Sequence, residues 1–298
     1  MGPGKPNWAL CWAALALLAA PAAASAEQAA PKPASRDAKL TPQQLEELQH
    51  VHHGYPGALA PENLNKPRPA APANFTGTWF IDLSEGFSKF MFGPPYPEFY
   101  EEGKKALAAG KAAMARGETY RDAIGQCYPA GLPMIMTRVW PIAMIQLPTA
   151  LYMVTGFTNS FRVIYLDGRQ YTDPDIVVPT YNGESIGHWE GDTLVVHTKY
   201  FETDHHYIDM GIPISDKFEV TERMRLIKGG KTLEIEYIMT DPDMWKGEWR
   251  STKRWDRQDE SDIGEVECIL QNNAYLPGTE RGKAAADSRA EAADAPAK

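Results

Sequence analysis

Between Phe201 and Gly211 the chain reads Glu202-Thr203-Asp204-His205-His206-Tyr207-Ile208-Asp209-Met210, a dense group of ionisable side chains that holds two adjacent histidines. Histidine titrates near neutrality, and a neighbouring carboxylate fixes the orientation of its ring, so this composition points to acid–base chemistry. His205 or His206 would act as acid or base, Asp209 would orient it, and Tyr207 would contact the substrate. Adjacent side chains of an extended chain point to opposite sides, so the two histidines share one metal ion only if the chain turns there. His50, His52 and His53 lack a carboxylate or cysteine pattern that would complete a ligand set; they read as a solvated helix end. No metal is assigned to either group.

These residues need a scaffold, and the flanking segments alternate with the period of strands. In Thr193–Phe201, Leu194, Val196 and Thr198 oppose Val195, His197 and Lys199, which leaves His197 exposed or facing a polar cavity. In Phe218–Ile227, Val220, Met224 and Leu226 share a face with Glu222, while Thr221, Arg223 and Arg225 face out. Alternation in Thr232–Thr240 puts Leu233, Ile235, Tyr237 and Met239 inside and Glu234 and Glu236 outside. Glu222 is therefore an inward carboxylate, which must be paired or else suffer a raised pKa. Unpaired, it is a second proton carrier for the histidine loop; paired with an inward Arg or Tyr, it is structural. His197, Tyr207, Trp189 and Tyr237 are the candidate substrate contacts.

Further strands are expected at Met134–Val139, Ala143–Gln146, Leu151–Phe157, Phe161–Leu166, Ser185–Trp189, Trp249–Asp256 and Glu265–Leu270. Turn sequences at Asp167-Gly168, Glu190-Gly191-Asp192 and Lys228-Gly229-Gly230 separate several of them. Strands joined by short turns, with no helix between them, cannot build a parallel sheet. The expected fold is mainly β, an antiparallel meander forming a calycin-like barrel over 74–276, with one outer α-helix inserted at about 98–123. Residues 1–26 carry Lys5, an apolar run from Trp8 to Leu18 and Ala24-Ser25-Ala26, the pattern of a cleaved secretory signal. An Ala- and Pro-rich linker with a short helix is expected over 27–73, and a disordered tail over 277–298.

The net charge of −9 argues against nucleic acid and anionic membranes as partners, since those need clustered Lys and Arg. There is no Gly-x-Ser-x-Gly elbow, no phosphate-cradling glycine loop and no dinucleotide fingerprint, so no nucleotide cofactor is expected. Cys11 lies within the signal, which leaves Cys127 and Cys268 either as a disulfide or as two buried thiols.

Two resemblances extend this reading. Gly77 and Trp79 on the first strand are similar to the Gly-x-Trp opening of lipocalins and other calycins, where the Trp closes the barrel floor against a late-strand Arg; Arg254 would fill that place. Leu166-Asp167-Gly168-Arg169, Asn182–Gly187, Trp189-Glu190-Gly191-Asp192-Thr193-Leu194-Val195-Val196, Ile208-Asp209 and Thr221-Glu222-Arg223 resemble a large family of secreted bacterial proteins. The Cys127-Tyr128-Pro129 and Cys268 segments are similar to that family's paired cysteines, which implies a Cys127–Cys268 disulfide. The resemblance implies a fold and a periplasmic or secreted location, and brings no assigned reaction. Relatives of that family usually lack a histidine pair before Ile-Asp and often carry arginine where His188 stands, so no role carries over to His205 and His206.

The sequence-based expectation is an exported enzyme performing cofactor-independent acid–base chemistry, of a lyase, isomerase or hydrolase type, on an apolar or aromatic small molecule in a barrel pocket. Its rivals are a non-catalytic lipocalin-like carrier and a structural envelope protein with a filled barrel.

Overall fold

The computed structural model describes residues 39–42, 54–67, 71–115, 127–157, 160–209 and 211–266. The chain divides into two compact units, 1–50 and 51–298. Residues 39–42 of the first are exposed, and the strands all belong to the second. The expected signal, the histidines at 50–53, Cys268 and the tail lie outside the described residues.

Nine strands close into a barrel in the order β1 (Gly77–Ile81), β13 (Glu248–Gln258), β11 (Thr232–Thr240), β10 (Glu219–Ile227), β7 (Thr193–Lys199), β6 (Glu184–Glu190), β5 (Phe161–Tyr165), β4 (Ala150–Thr155) and β3 (Ile142–Gln146). Outside it lie two small antiparallel pairs: β2 (Glu98–Phe99) with β12 (Trp245–Lys246), and β8 (Tyr207–Asp209) with β9 (Ile212–Pro213). The helix Glu101–Ala115 packs on β9 and β2, outside the barrel wall. Its glycines permit close approach: a Cβ at Gly103 would sit 2.7 Å from the Met244 carbonyl oxygen.

Alternation decides which side chains fill the barrel, because successive residues of a strand face opposite ways. Val220, Glu222 and Met224 of β10 are buried, as are Leu233, Ile235, Tyr237 and Met239 of β11 and Trp249, Lys253 and Trp255 of β13. The opposite face of the same strands carries ion pairs, with Arg225 and Arg254 both on Glu234 and Arg250 on Glu236. The arginines of these pairs are solvated although Glu234 is buried, and exposed pairs are worth only ~0.2–1 kcal/mol each, so most of the stabilisation lies in the aromatic and aliphatic interior.

Three expectations need correction. The barrel wall is not wholly antiparallel: β5 pairs with β6 in parallel, through Ile164 with Ser185 and Tyr165 with Ile186. A parallel pair needs a long crossover, and the chain supplies it over 166–183 without regular secondary structure, so Asp167-Gly168 opens a connection and not a tight hairpin. The segment Met134–Thr137 is a 3-10 turn and not a strand. All four of its residues are buried, so there is no solvent face to set a strand's alternation. Finally, the arginine on Trp79 is Arg257 and not Arg254. Register places Arg257 opposite Trp79, and its guanidinium lies 4.3 Å from the indole ring, while Arg254 falls one residue out of phase and faces outward.

Candidate functional site

Among the described residues, a polar cluster in the barrel interior centres on Arg162 and Glu222. Glu222 is fully buried and pairs with Arg162 of β5, whose Nη1 donates to Oε1 at 3.1 Å and whose Nη2 donates to Oε2. Arg162 also donates from Nε to the Ser185 hydroxyl at 3.0 Å and from Nη2 to the Thr198 hydroxyl at 2.9 Å. A guanidinium whose donors meet a carboxylate and two hydroxyls is satisfied without water. Tyr237 is fully buried on the strand beside Glu222; burial, then the Glu222 charge, pushes its phenol well up. Its hydroxyl meets no partner among the described residues.

The histidine loop contains the turn that adjacent histidines need. His206 N–H reaches back to the Thr203 carbonyl, and His205 takes a left-handed conformation, φ 53°. That turn drives the two rings apart. His205 is half-exposed and stacks on Tyr128, ring centroids 4.1 Å apart, with Nε2 3.7 Å from Asp204. His206 is fully buried, with Nδ1 2.7 Å from the Glu202 carbonyl oxygen and Nε2 3.0 Å from the Leu132 carbonyl oxygen. Burial lowers its pKa, partly opposed by those two carbonyls. It pins the rim loop to the segment before the 3-10 turn: a Cβ at Gly131, itself at φ 66°, would lie 2.4 Å from Nε2.

The four expected catalytic residues are thus not brought together. Glu222 bonds to Arg162 inside the barrel, His206 bonds to two backbone carbonyls, His205 rests on Tyr128, and Asp209 ends β8 with its side chain outside what is described. Among the described residues, no group of three or more His, Cys, Asp or Glu is placed to hold a metal ion. Of the expected substrate contacts, Trp189 stacks on Phe75 at 5.7 Å and Tyr207 packs against the core.

His197 has a different setting. It lies on the outer face of β7, and the 166–183 crossover lays Tyr171 over it. The Tyr171 hydroxyl donates to the His197 carbonyl at 2.7 Å and lies 2.8 Å from Nδ1, while Nε2 lies 3.1 Å from Glu219 Oε2 on β10. Burial, then the Glu184 and Glu219 charges, pushes the Tyr171 phenol well up, so it stays protonated. Lys199, two residues on along the same face, holds its ammonium 4.3 Å from the Tyr171 ring and 4.5 Å from the Tyr200 ring. It forms no ion pair among the described residues.

Glu219 and Lys199 also line a groove of about 620 Å³ where β7 ends and β10 begins. Tyr100, Tyr200, Phe218 and Trp245 supply its apolar walls, and Asp216, Lys217 and Asp241 add polar edges. Lys217 is tied to Asp243 at 2.9 Å. Asp241 accepts from the Ser215 N–H at 2.8 Å and hydroxyl at 2.7 Å, which sets the groove floor; burial raises its pKa against those bonds. The volume is that of a small-molecule site, which runs to about 300–1,000 Å³.

No family model and no curated protein matches the chain. The site therefore rests on its own geometry. Sequence reading singled out His197 but missed Tyr171, Lys199, Tyr200 and Glu219. Lys199 shares a face with His197 by alternation, and that was the available signal; nothing in the sequence shows that the crossover folds Tyr171 over that face.

Proposed function

We propose that this chain is an exported protein whose rim groove binds a small ring-bearing molecule and exchanges a proton with it. The observation that carries the reading is Glu219, which lines the groove while bonded to His197, itself held by Tyr171. A carboxylate coupled to an imidazole is acid–base equipment, and the nearby Lys199 ammonium supplies counter-charge for an anion developing on the ligand. Tyr100 and Tyr200 offer ring surface for an aromatic or apolar ligand, over a floor that includes the buried Trp245. The chemistry is proton transfer of a lyase, isomerase or hydrolase type. It moves away from the expected His205–His206 loop, whose rings are occupied by Tyr128 and by backbone carbonyls.

Export is supported by the N-terminal pattern of Lys5, the Trp8–Leu18 run and Ala24-Ser25-Ala26. In an oxidising compartment Cys127 pairs with Cys268. No helix among the described residues is long and apolar enough to cross a membrane.

The test is titration of the isotope-labelled protein with phenol, indole and benzoate. Chemical-shift changes concentrated at Tyr100, Lys199 and Tyr200, and lost in Tyr200→Ala, support the reading. Probes that gather elsewhere, or that ignore Tyr200→Ala, overturn it.

A further inference from the structure

The contacts around His197 bear on where its hydrogens sit, and so on which way Glu219 moves a proton; the inference rests on the groove reading. A phenol has one hydrogen to give. Tyr171 directs it to the His197 carbonyl oxygen at 2.7 Å, so towards Nδ1, at 2.8 Å, the same hydroxyl can only accept. Nδ1 therefore carries a hydrogen. The imidazole's other nitrogen then meets the Glu219 carboxylate at 3.1 Å. With Nδ1 already protonated, a bare Nε2 would set its lone pair against a carboxylate oxygen. The contact is a hydrogen bond only if one further hydrogen lies between Nε2 and Oε2.

We infer that Tyr171 is a positioning residue that selects the Nδ1–H form of His197, so that His197 and Glu219 together hold one transferable hydrogen and present the groove with an acid. The charged and titratable groups around this pair lie apart from it or are already engaged. Lys199 lies over Tyr171 and Tyr200. Glu184 accepts from the Thr172 N–H at 3.0 Å and its hydroxyl at 3.2 Å, so its charge is already engaged. Arg162 acts on Tyr171 from the barrel side but is paired with Glu222. In the transfer step the hydrogen leaves the dyad for a basic atom of the ligand. The dyad keeps the Nδ1 hydrogen and becomes a neutral imidazole beside a carboxylate, and no electrons change hands. The mismatch of lone pair and carboxylate that remains drives the dyad to recover a proton from water.

Nitrogen NMR of the ligand-free protein with labelled histidine, at neutral pH, reads the hydrogen positions directly. The expected spectrum shows Nδ1 of His197 in the N–H range; in Tyr171→Phe, which removes the acceptor, Nδ1 gives its hydrogen to water and the hydrogen shared with Glu219 becomes the Nε2–H, leaving Nδ1 bare. A wild-type spectrum with Nδ1 bare and Nε2 as the sole N–H overturns the inference even if the groove binds its probes. An Nδ1–H signal in a protein whose groove binds no probe leaves the hydrogen assignment standing and removes the functional reading beneath it. Unchanged hydrogen positions in Tyr171→Phe overturn the role given to Tyr171. Because the wild-type spectrum already decides the placement, a poorly folding variant does not spare the inference.

Discussion

An inward carboxylate has two possible fates in a barrel, and for Glu222 the partner decides between them. Two buried ions recover their desolvation only when most of their hydrogen-bonding capacity is used, and Arg162 spends its donors on Glu222, Ser185 and Thr198. Glu222→Ala, which strands a buried guanidinium, is expected to cost about 3–5 kcal/mol in urea unfolding. The double variant Arg162→Met with Glu222→Leu should cost less than that single change, since it removes both charges. A functional Glu222 would give the opposite pattern, with little effect on stability.

His206 gives a pH prediction with a definite sign. Its folded-state pKa is lowered by burial, so below the ordinary value of about 6.5 the unfolded chain binds a proton that the folded chain refuses. Stability is full above about pH 6.5 and declines as the pH falls from there towards the lower folded value. Melting temperatures measured across that window should fall on acidification, and His206→Asn should flatten the slope while lowering the plateau.

At the level of elements, the rim is held by close backbone approach. Gly131→Ala would put a methyl 2.4 Å from His206 Nε2 and 2.6 Å from the Tyr181 carbonyl oxygen, in a left-handed conformation. Left-handed strain alone is ~1–2 kcal/mol for an L-residue, so chemical denaturation should show a loss of roughly 2 kcal/mol or more. The strands around that rim were largely legible. β10 and β11 alternate so regularly that the inward place of Glu222 and the outward place of Arg223 and Arg225 follow from period two alone. Met134–Thr137 carried no such signal, because an unbroken buried run looks alike as turn or strand. The crossover was opaque for a further reason: 166–183 has neither period, so nothing local states that it passes over β7 and leaves β5 and β6 parallel. Tyr171 became part of the site only through that tertiary path.

For the molecule as a whole, the groove draws its walls from separated stretches, Tyr100, 199–200, 216–219, 240–242, Trp245 and Gly247, which only barrel closure assembles. The sequence foretold a barrel and pointed to its interior as the pocket, whereas the groove lies at the strand ends and the interior centre carries Arg162 and Glu222 among Tyr237 and tryptophans. The proposed Cys127–Cys268 bridge would join the segment leading into the 3-10 turn to the chain beyond β13. Maleimide should label neither cysteine in denatured, unreduced protein and both after reduction. Replacing both by serine should lower stability by about 5 kcal/mol on the chain-entropy estimate.

The parallel contact of β5 with β6 has a consequence for how this wall breathes. Only Ile164–Ser185 and Tyr165–Ile186 are registered across it, against nine residue pairs between β10 and β11. With so few backbone bonds in its ladder, that line resembles a zip fastened by two teeth, and the side chain of Arg162, reaching from β5 to β6, β7 and β10, is its clasp. Deuterium should therefore enter those amides of Phe161–Tyr165 and Glu184–Ile186 that face this seam, and not those laddered to β4 and β7, long before the amides of β10 and β11, admitting water to the polar centre while the rest of the barrel stays shut.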